Sequence, residues 1–374
     1  MLVSKYILSP LLLLTTALSL PALEPLIDST KIIREPQAKN TLKKSDKNKD
    51  GKIDKSEDPK LWKSHARYDK NKDKALDLNE LINSPDVHLD SPGKKILNVL
   101  YKQTPQGGVF FDFYFPDNNN STENPVVLFT HGGGWAAGSK AKAGIGSFSA
   151  VHKALLKKGF CVLSVGYRKV RKDGSTAMRD CVIDSLDALR YISAYKNELG
   201  IDPNKIYTFG DSAGGHLAQM ALLASPESFK GDTELYKYSY KTVAGVSWYG
   251  PCDFQEIQLF NHDDRENFND RFGARIMSAE TKPSEKEERY REMSPIHYLK
   301  PTSPPLLMIQ GDKDTTIPVK HAYKMQEVLK SIQAPVEILI VKNSGHNWRS
   351  VNQPIEPTRE VIVEKTIQFF LKHL

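Results

Sequence analysis

The chain has 374 residues but only three cysteines, Cys161, Cys181 and Cys252. Three cysteines cannot pair completely, which excludes a dense disulfide framework. A single disulfide is still compatible with the sequence. Cys161 lies in an apolar run and Cys181 in a helical pattern, so buried free thiols are the simpler expectation.

An arginine-rich stripe and internal membrane spans are also missing. The formal charge is +7 and the pI is about 9.0, but the lysines are interleaved with Asp and Glu. Because the positive charges are not clustered along the sequence, a nucleic-acid partner is not expected. No run beyond Leu20 is apolar and long enough to cross a bilayer.

The N-terminus has the pattern of an export signal. Lys5 precedes an apolar run from Ile7 to Leu20, and small or turn-forming residues follow. We therefore predict a signal peptide over residues 1–23, a secreted or periplasmic protein, and no stable membrane span after its removal. The alternative is an uncleaved anchor, which Pro10 and the shortness of the run disfavour.

A repeat of charged residues follows within residues 41–84. "DKNKDGKIDKSE" has oxygen-bearing side chains at positions 1, 3, 5, 9 and 12 and a glycine at position 6, the EF-hand pattern for calcium. Lys52 would supply its backbone carbonyl at position 7. The predicted ligands of the first loop are Asp46, Asn48, Asp50, Lys52, Asp54 and Glu57.

The second copy, "DKNKDKALDLNE", departs from the pattern at Lys74, where glycine is expected, so it should bind calcium more weakly. Its predicted ligands are Asp69, Asn71, Asp73, Ala75 (carbonyl), Asp77 and Glu80. Ile53 and Leu76 stand at position 8, where paired EF-hand loops form a short two-stranded contact. The alternative for both copies is a solvated, charged linker, and a protein partner of this unit is unspecified.

Residues 85–95 are predicted to be a linker. After it the hydrophobic pattern changes, and we predict a catalytic domain over residues 96–374. "ILNVLYKQ" and "VFFDFYFP" predict a strand pair, and apolar strands then alternate with helices near 148–158, 177–198, 212–224, 319–332 and 354–374. This alternation predicts an α/β fold with a mostly parallel central sheet covered on both faces.

One interval interrupts the alternation. Residues 253–294 are charged and irregular and fall between two predicted strands. In an α/β sheet such an insertion lies above the strand ends, so we predict a lid or substrate wall there. The alternative is a surface insertion without a role in substrate binding.

"GDSAG", residues 210–214, fits G-x-S-x-G between a strand and a helix. That context suits a nucleophile turn, in which small neighbours leave the hydroxyl of Ser212 exposed. An ordinary glycine-rich turn is the alternative. Downstream, one strand is followed by Asp312 and Asp314 and the next by His346. The order Ser, Asp, His is that of an α/β-hydrolase.

"HGGGW", residues 131–135, follows the first core parallel strand. Glycines at this place let backbone N–H groups turn toward a negatively charged oxygen, and the amide of Ala213 would complete the pocket.

From Asn98 to Leu374 the chain resembles α/β-hydrolases of the hormone-sensitive-lipase-like and feruloyl- and acetylxylan-esterase-like group. The resemblance rests on "HGGGW", "VGYR", "LGIDPNKIYTFGDSAGGHLA", "SPIHYL", "GDKDTTIP" and "SGHNW". It implies Ser212 as nucleophile, His346 as base and Asp314 as the acid, with Asp312 as runner-up. It also implies Gly133, Gly134 and Ala213 as oxyanion donors.

The resulting hypothesis is a secreted serine ester hydrolase acting on acylated carbohydrates or small acyl esters, with structural Ca²⁺ and no catalytic cofactor. A serine peptidase or amidase and a calcium-dependent binding protein with a degenerate hydrolase body are the alternatives. Structural roles are predicted for the remaining polar residues: loop or turn support for His131, Asp211 and His216, and solvation or capping for Asp180 and Asp184.

Overall fold

The computed structural model describes residues 38–66, 69–83, 88–91, 93–117 and 121–374. The predicted signal peptide, residues 1–23, lies outside these ranges. Within them, no helix combines the length and the hydrophobicity that crossing a bilayer requires. The three cysteines are free and buried, as the sequence predicts.

The N-terminal part consists of short helices and one small sheet. Its elements are α1 (38–45), β1 (Lys52–Asp54), α2 (Pro59–His65), β2 (Ala75–Asp77) and α3 (Leu78–Asn83). β1 and β2 pair antiparallel with Ile53 opposite Leu76, the register expected for the two position-8 residues. Both side chains are fully buried in a small core with Ala38 and Leu81.

The main sheet has eight strands. They are β3 (Lys95–Thr104), β4 (Gly107–Tyr114), β5 (Asn124–Thr130), β6 (Cys161–Val165), β7 (Ile201–Asp211), β8 (Thr242–Trp248), β9 (Leu306–Gly311) and β10 (Val336–Val341). The strand order is β10-β9-β8-β7-β5-β6-β4-β3. β3 and β4 form the predicted antiparallel hairpin, β4 is antiparallel to β6, and the other pairs are parallel.

Both faces of this sheet are covered, because its central strands are apolar on each side. In β5, Val126 and Leu128 belong to one core, whereas Val127 and Phe129 belong to the other. The first core includes α5 (Met178–Ala194) and α7 (Ala213–Leu223), and the second includes α4 (Gly146–Lys157) and α11 (Arg359–Lys372). α10 (Lys320–Ile332) packs beside β9 and β10 in a third cluster.

Two predicted helices differ at their ends. The helix predicted for 177–198 is two helices, α5 and α6 (Lys196–Leu199), because Tyr195 leaves helical geometry at φ −107° and ψ 30°. The closing helix begins at Arg359 rather than near Pro354, because the Thr358 side chain caps it by accepting from the N–H of Val361.

The 253–294 segment connects β8 to β9 through short helical pieces. They are two 3₁₀ turns (Ile257–Phe260 and Pro283–Glu285), α8 (Gly273–Ile276) and α9 (Lys286–Glu292). Phe260, Phe272, Tyr290 and Met293 are buried and belong to the first core of the sheet. The segment therefore packs on the body of the molecule.

Candidate active site

Ser212 lies at the junction of β7 and α7. Its backbone adopts φ 53° and ψ −121°, a region that costs a non-glycine residue about 1–3 kcal/mol. The turn is held in this conformation because the N–H of Ser212 donates to the carbonyl of Trp248 at 2.9 Å, and Gly214 lies so close to Thr130 that a Cβ there would overlap its carbonyl. The side chain is thereby presented at the carboxyl edge of the parallel sheet.

His346 lies between Ser212 and Asp314. Its Nε2 is 3.1 Å from Ser212 Oγ, and its Nδ1 is 2.7 Å from Asp314 Oδ2. Asp314 follows β9, and His346 follows β10 and the two-residue strand β11 (Ser344–Gly345). The other oxygen of Asp314 accepts the N–H groups of Thr316 and Ile317 at 2.8 and 2.9 Å, which fixes the carboxylate toward the ring.

Asp312, the runner-up for the acid, points elsewhere. Its Oδ1 accepts the backbone N–H of Ser344 at 3.2 Å, and its Oδ2 lies 3.9 Å from Lys313 Nζ. The structure thus distinguishes two carboxylates that the residue chemistry alone leaves equivalent: Asp314 contacts the imidazole and Asp312 supports the loop that carries it.

The glycine loop follows β5 and faces Ser212. Gly133 and Gly134 have φ values of 128° and 59°, which turn their peptide planes in a way that side-chain-bearing residues resist. Within the described residues, the N–H groups of Gly133, Gly134 and Ala213 donate to no protein acceptor. Three unused donors at the mouth of the serine turn match what an oxyanion requires.

Asp211 and Lys142 hold this loop against the turn. Asp211 accepts the N–H of Gly132 at 2.8 Å through one oxygen and contacts Lys142 Nζ at 2.6 Å through the other. The carboxylate is fully buried, and both of its contacts are structural.

His131 supports the same loop from beneath. Its Nδ1 lies 2.8 Å from Gly132 O, its Nε2 lies 2.8 Å from Lys169 Nζ, and its ring stacks on Tyr167. Burial and the Lys169 charge hold the pKa of His131 well below its usual range. Burial also lowers the pKa of Lys169 to about 8.

Trp135 is buried against the 253–294 segment. Its indole N–H donates to His216 Nδ1 at 3.2 Å, and its ring contacts Phe254 and Phe272 edge-on. His216 Nε2 in turn donates to the carbonyl of Met293 at 2.8 Å. Burial lowers the pKa of His216 to about 4, so the neutral ring links the glycine loop to the end of the segment.

These elements surround a cleft of about 560 Å³ that contains Ser212 and His346. Three of its lining residues come from the 253–294 segment: Arg271, Phe272 and Arg275. The sequence predicted a wall from this segment but singled out none of the three. Their only signal was the i, i+4 spacing of two arginines within a charged, irregular stretch.

The two N-terminal loops bring their acidic residues together. Glu57 Oε1 accepts the N–H groups of Lys47 and Asn48 at 2.8 and 3.0 Å, and Glu80 contacts Lys70 and Asn71 in the same way. Carboxylate oxygens of Asp69, Asp73 and Glu80 lie within 4.8 Å of one another. Asp73 also contacts Lys52 Nζ at 2.6 Å, so a protein cation already shares this cluster.

Curated proteins with similar sequences include esterases. Isoprenylcysteine alpha-carbonyl methylesterase ICME of Arabidopsis thaliana is 24% identical over 280 residues, which are 72% of this chain and 60% of that protein. Esterase LipC of Mycobacterium tuberculosis is 30% identical over 227 residues, 60% of this chain and 53% of that protein. The chain thus spans little more than half the length of these curated relatives.

Solved structures show the same fold. Esterase 2 of Thermogutta terrifontis has a TM-score of 0.57 at 21% identity, covering 75% of this chain and 91% of that one. A truncated carbohydrate esterase from gut microbiota has a TM-score of 0.60 at 21% identity, covering 77% and 97%. The family model BD-FAE matches residues 111–329, more than half of the chain. The match runs from within β4 to within α10. Because it covers more than half of the chain, this chain belongs to the BD-FAE family, and it has the α/β-hydrolase fold.

Proposed function

We propose that this protein is a carboxylic ester hydrolase that works through an acyl-enzyme on Ser212. The observation that carries the proposal is the contact of His346 with both Ser212 Oγ and Asp314. The relatives support it, since ICME is named a methylesterase and LipC an esterase. The same contact would also serve a serine peptidase, so the choice of an ester rests on the names of these relatives, and an aryl amide substrate tests the peptidase alternative.

The residues divide the work as follows. Ser212 Oγ attacks the ester carbonyl while His346 Nε2 takes its proton, and Asp314 orients the ring and stabilises its positive charge. The N–H groups of Gly133, Gly134 and Ala213 bind the oxyanion of the tetrahedral intermediate. His346 then protonates the leaving alcohol, and a water molecule activated by the same ring releases the acid.

We further propose that the substrates are acylated carbohydrates or small acyl esters, met outside the cytoplasm. Two of the similar solved structures support small acyl groups by their descriptions, which name butyrate and propionate bound to Thermogutta esterase 2. The gut-microbiota neighbour is described as a carbohydrate esterase. Export rests on the apolar pattern of residues 7–20.

One substrate panel tests both parts of the proposal. Aryl acetate, butyrate and long-chain esters, an aryl amide, acetylated xylan and feruloylated sugars are compared with the wild type and with Ser212→Ala. We expect short aryl esters to be cleaved, acetate to be released from the polymer, and the variant to lose about a thousandfold or more in kcat. Equal turnover by wild type and variant would overturn the role of Ser212.

We also propose that the N-terminal loops bind structural Ca²⁺. The donor set fits a hard cation, because the sequence of each loop has oxygen-bearing side chains at the spacing calcium requires, and in the second loop carboxylate oxygens of Asp69, Asp73 and Glu80 lie within 4.8 Å of one another. Asp46, Asn48, Asp50, Lys52, Asp54 and Glu57 would hold one ion, and Asp69, Asn71, Asp73, Ala75, Asp77 and Glu80 the other. A bound ion would supply charge neutralisation and cross-linking of the loops, and it takes no part in ester cleavage.

Calcium titration followed by thermal unfolding tests this site. We expect Ca²⁺ to raise the unfolding temperature and Asp46→Ala to weaken the effect, while kcat for a short aryl ester is the same with calcium and with chelator. An unfolding profile that is identical in calcium and in chelator would refute calcium binding.

A further inference from the structure

Arg271 and Arg275, from the 253–294 segment, line the candidate active-site cleft. Arg271 is exposed and Arg275 is half-buried. A Cβ atom built on Gly134 would lie 2.8 Å from Arg275 Nη1, so this guanidinium lies directly against the glycine loop. Both guanidinium groups contact the ring of Phe272, at 5.6 and 5.2 Å from its centroid. Positive charge is thus held close to the reacting centre.

Neither arginine has an acidic partner in the part of the chain that the structure describes. Arg271 Nη1 donates to the carbonyl oxygens of Thr315 and Thr316 at 3.2 and 3.4 Å, and neutral peptide groups do not cancel its charge. Besides burial, the charge of Arg271, which has the same sign, lowers the pKa of Arg275.

The aspartates of the same segment are engaged elsewhere. Asp270 accepts the N–H groups of Phe272 and Gly273 at 2.9 Å and the hydroxyl of Tyr290 at 2.5 Å. Two further aspartates already form ion pairs, Asp263 with Arg265 and Asp264 with Lys320. The segment therefore contains aspartates, but they lie beside other groups and do not pair with Arg271 or Arg275.

The remaining charges of the cleft do not compensate the arginines. Lys142 and Asp211 also line it, but they neutralise each other across 2.6 Å. Burial and the charge of Arg271 lower the pKa of Arg275, as expected for like charges without a counter-ion. A planar anion is what a guanidinium binds best, through paired N–H donors.

We propose that Arg271 and Arg275 bind an anionic group of the ester substrate, a carboxylate or its equivalent, beside the bond that Ser212 attacks. The inference rests on the proposed ester hydrolysis and narrows its substrate class. The anion sits on the acyl half, as in the monoester of a dicarboxylic acid, or on the alcohol half, as in an acylated acidic sugar. Both share one recognition chemistry, and separate substrates distinguish them.

Matched ester pairs test the proposal. For the acyl half, the 4-nitrophenyl monoester of succinic acid is compared with 4-nitrophenyl butyrate, which has the same chain length without the charge. For the alcohol half, an acetylated glucuronate is compared with the equally acetylated glucose. Each pair is measured with the wild type, Arg271→Gln, Arg275→Gln and the control Arg265→Gln, whose guanidinium pairs with Asp263.

We expect the wild type to prefer the anionic member of at least one pair in kcat/KM. In Arg275→Gln that preference falls about tenfold or more, since a charge-assisted hydrogen bond is lost, and it falls less in the more exposed Arg271→Gln. Arg265→Gln keeps the wild-type ratio. A wild type without preference in either pair overturns the proposal. So does an Arg275→Gln enzyme that loses the same factor on both members, because Arg275 would then serve the oxyanion loop or the fold.

A binding measurement separates this inference from the proposed activity. If the wild type cleaves none of the esters, the proposed function has failed. Anion binding is then measured separately, as the change in unfolding temperature on addition of succinate or glucuronate. A rise in unfolding temperature that Arg275→Gln abolishes and Arg265→Gln retains supports the site. The same rise in all three proteins, or none in the wild type, overturns it.

Discussion

Two chemically identical carboxylates two residues apart have different surroundings in this molecule. Asp314 receives two backbone N–H groups on one oxygen and the His346 ring on the other. Asp312 accepts the N–H of Ser344 and lies beside Lys313. At the scale of single residues, hydrogen-bond direction therefore assigns the roles.

Substitution of the two aspartates makes this difference measurable. We predict that Asp314→Asn lowers kcat by about a thousandfold to ten-thousandfold, because an amide no longer orients and stabilises the His346 ring. The matched Asp312→Asn keeps an oxygen for the Ser344 N–H and should stay within about threefold of the wild type. Steady-state kinetics on one aryl ester checks both, and equal losses in the two variants would contradict the assignment.

His216 provides a second prediction at this scale, on stability against pH. Burial lowers its pKa to about 4 in the folded protein, whereas about 6.5 is usual in an unfolded chain. As the pH falls from 6.5 to 4, the unfolded state binds a proton that the folded state does not. Stability is therefore lost over that window, by about 3 kcal/mol from this group.

The comparison of His216→Gln with the wild type isolates that loss. We expect the variant's free energy of unfolding to fall about 3 kcal/mol less than the wild type's between about pH 7 and pH 4. Denaturant unfolding at a series of pH values provides the data, with the exposed His262→Gln as control. Parallel curves for His216→Gln and the wild type would show that the buried ring does not cause the acid sensitivity.

At the scale of elements, the two N-terminal loops share a plan but differ in one backbone position. Position 6 is Gly51 in the first loop, with φ 85°, and Lys74 in the second, with φ 66°. The second loop adopts the same left-handed turn despite a side chain. The lysine also adds positive charge to the proposed calcium site.

Replacing Lys74 separates these two costs. We predict that, in an Asp46→Ala background that disables the first loop, Lys74→Gly binds Ca²⁺ more tightly than Lys74→Ala, and Lys74→Ala more tightly than lysine. Alanine removes only the charge, whereas glycine also removes about 1 kcal/mol of backbone strain, worth about fivefold in affinity. Calorimetric titration checks the ranking. Equal affinity of the glycine and alanine variants would show that strain is unimportant.

At the scale of the whole molecule, a buried charge network joins distant parts of the chain. Asp184 on α5 is fully buried and contacts Lys102 of β3 and Arg168, which follows β6. The sequence prediction of a solvated or capping residue was wrong for Asp184. For Asp180 it holds, since its carboxylate accepts the N–H of Ala177 at the start of the helix.

This network predicts unequal effects of two similar substitutions. Asp184→Asn removes a fully buried carboxylate, leaving Lys102 paired with Asp187 and Arg168 paired with Asp180 alone, and should lower the free energy of unfolding by about 3 kcal/mol. Asp180→Asn, on the same helix and partly exposed, should cost about 1 kcal/mol. Urea unfolding of both variants tests the difference, and similar midpoints would contradict a structural role for the buried network.

The same contrast shows how far the sequence could predict this molecule. Ser212, Asp314 and His346 each follow a parallel strand. Their meeting could be predicted because parallel strands place their carboxyl ends at one edge of the sheet. The burial of Asp184 could not, since its partners lie far away in the chain. Arg271 and Arg275 were missed for a related reason: their position on the cleft depends on how the 253–294 segment folds back.

The ends of that segment have a consequence for how the walls of the cleft can vary. Ser294 Oγ accepts the N–H of Phe254 at 2.8 Å and lies 3.4 Å from Asp253 Oδ1, so the segment begins and ends at one closed stem. None of the serine, imidazole or carboxylate of the reacting set lies within it. The side chains that this segment contributes to the cleft can therefore change while the serine, the imidazole and the carboxylate stay in place.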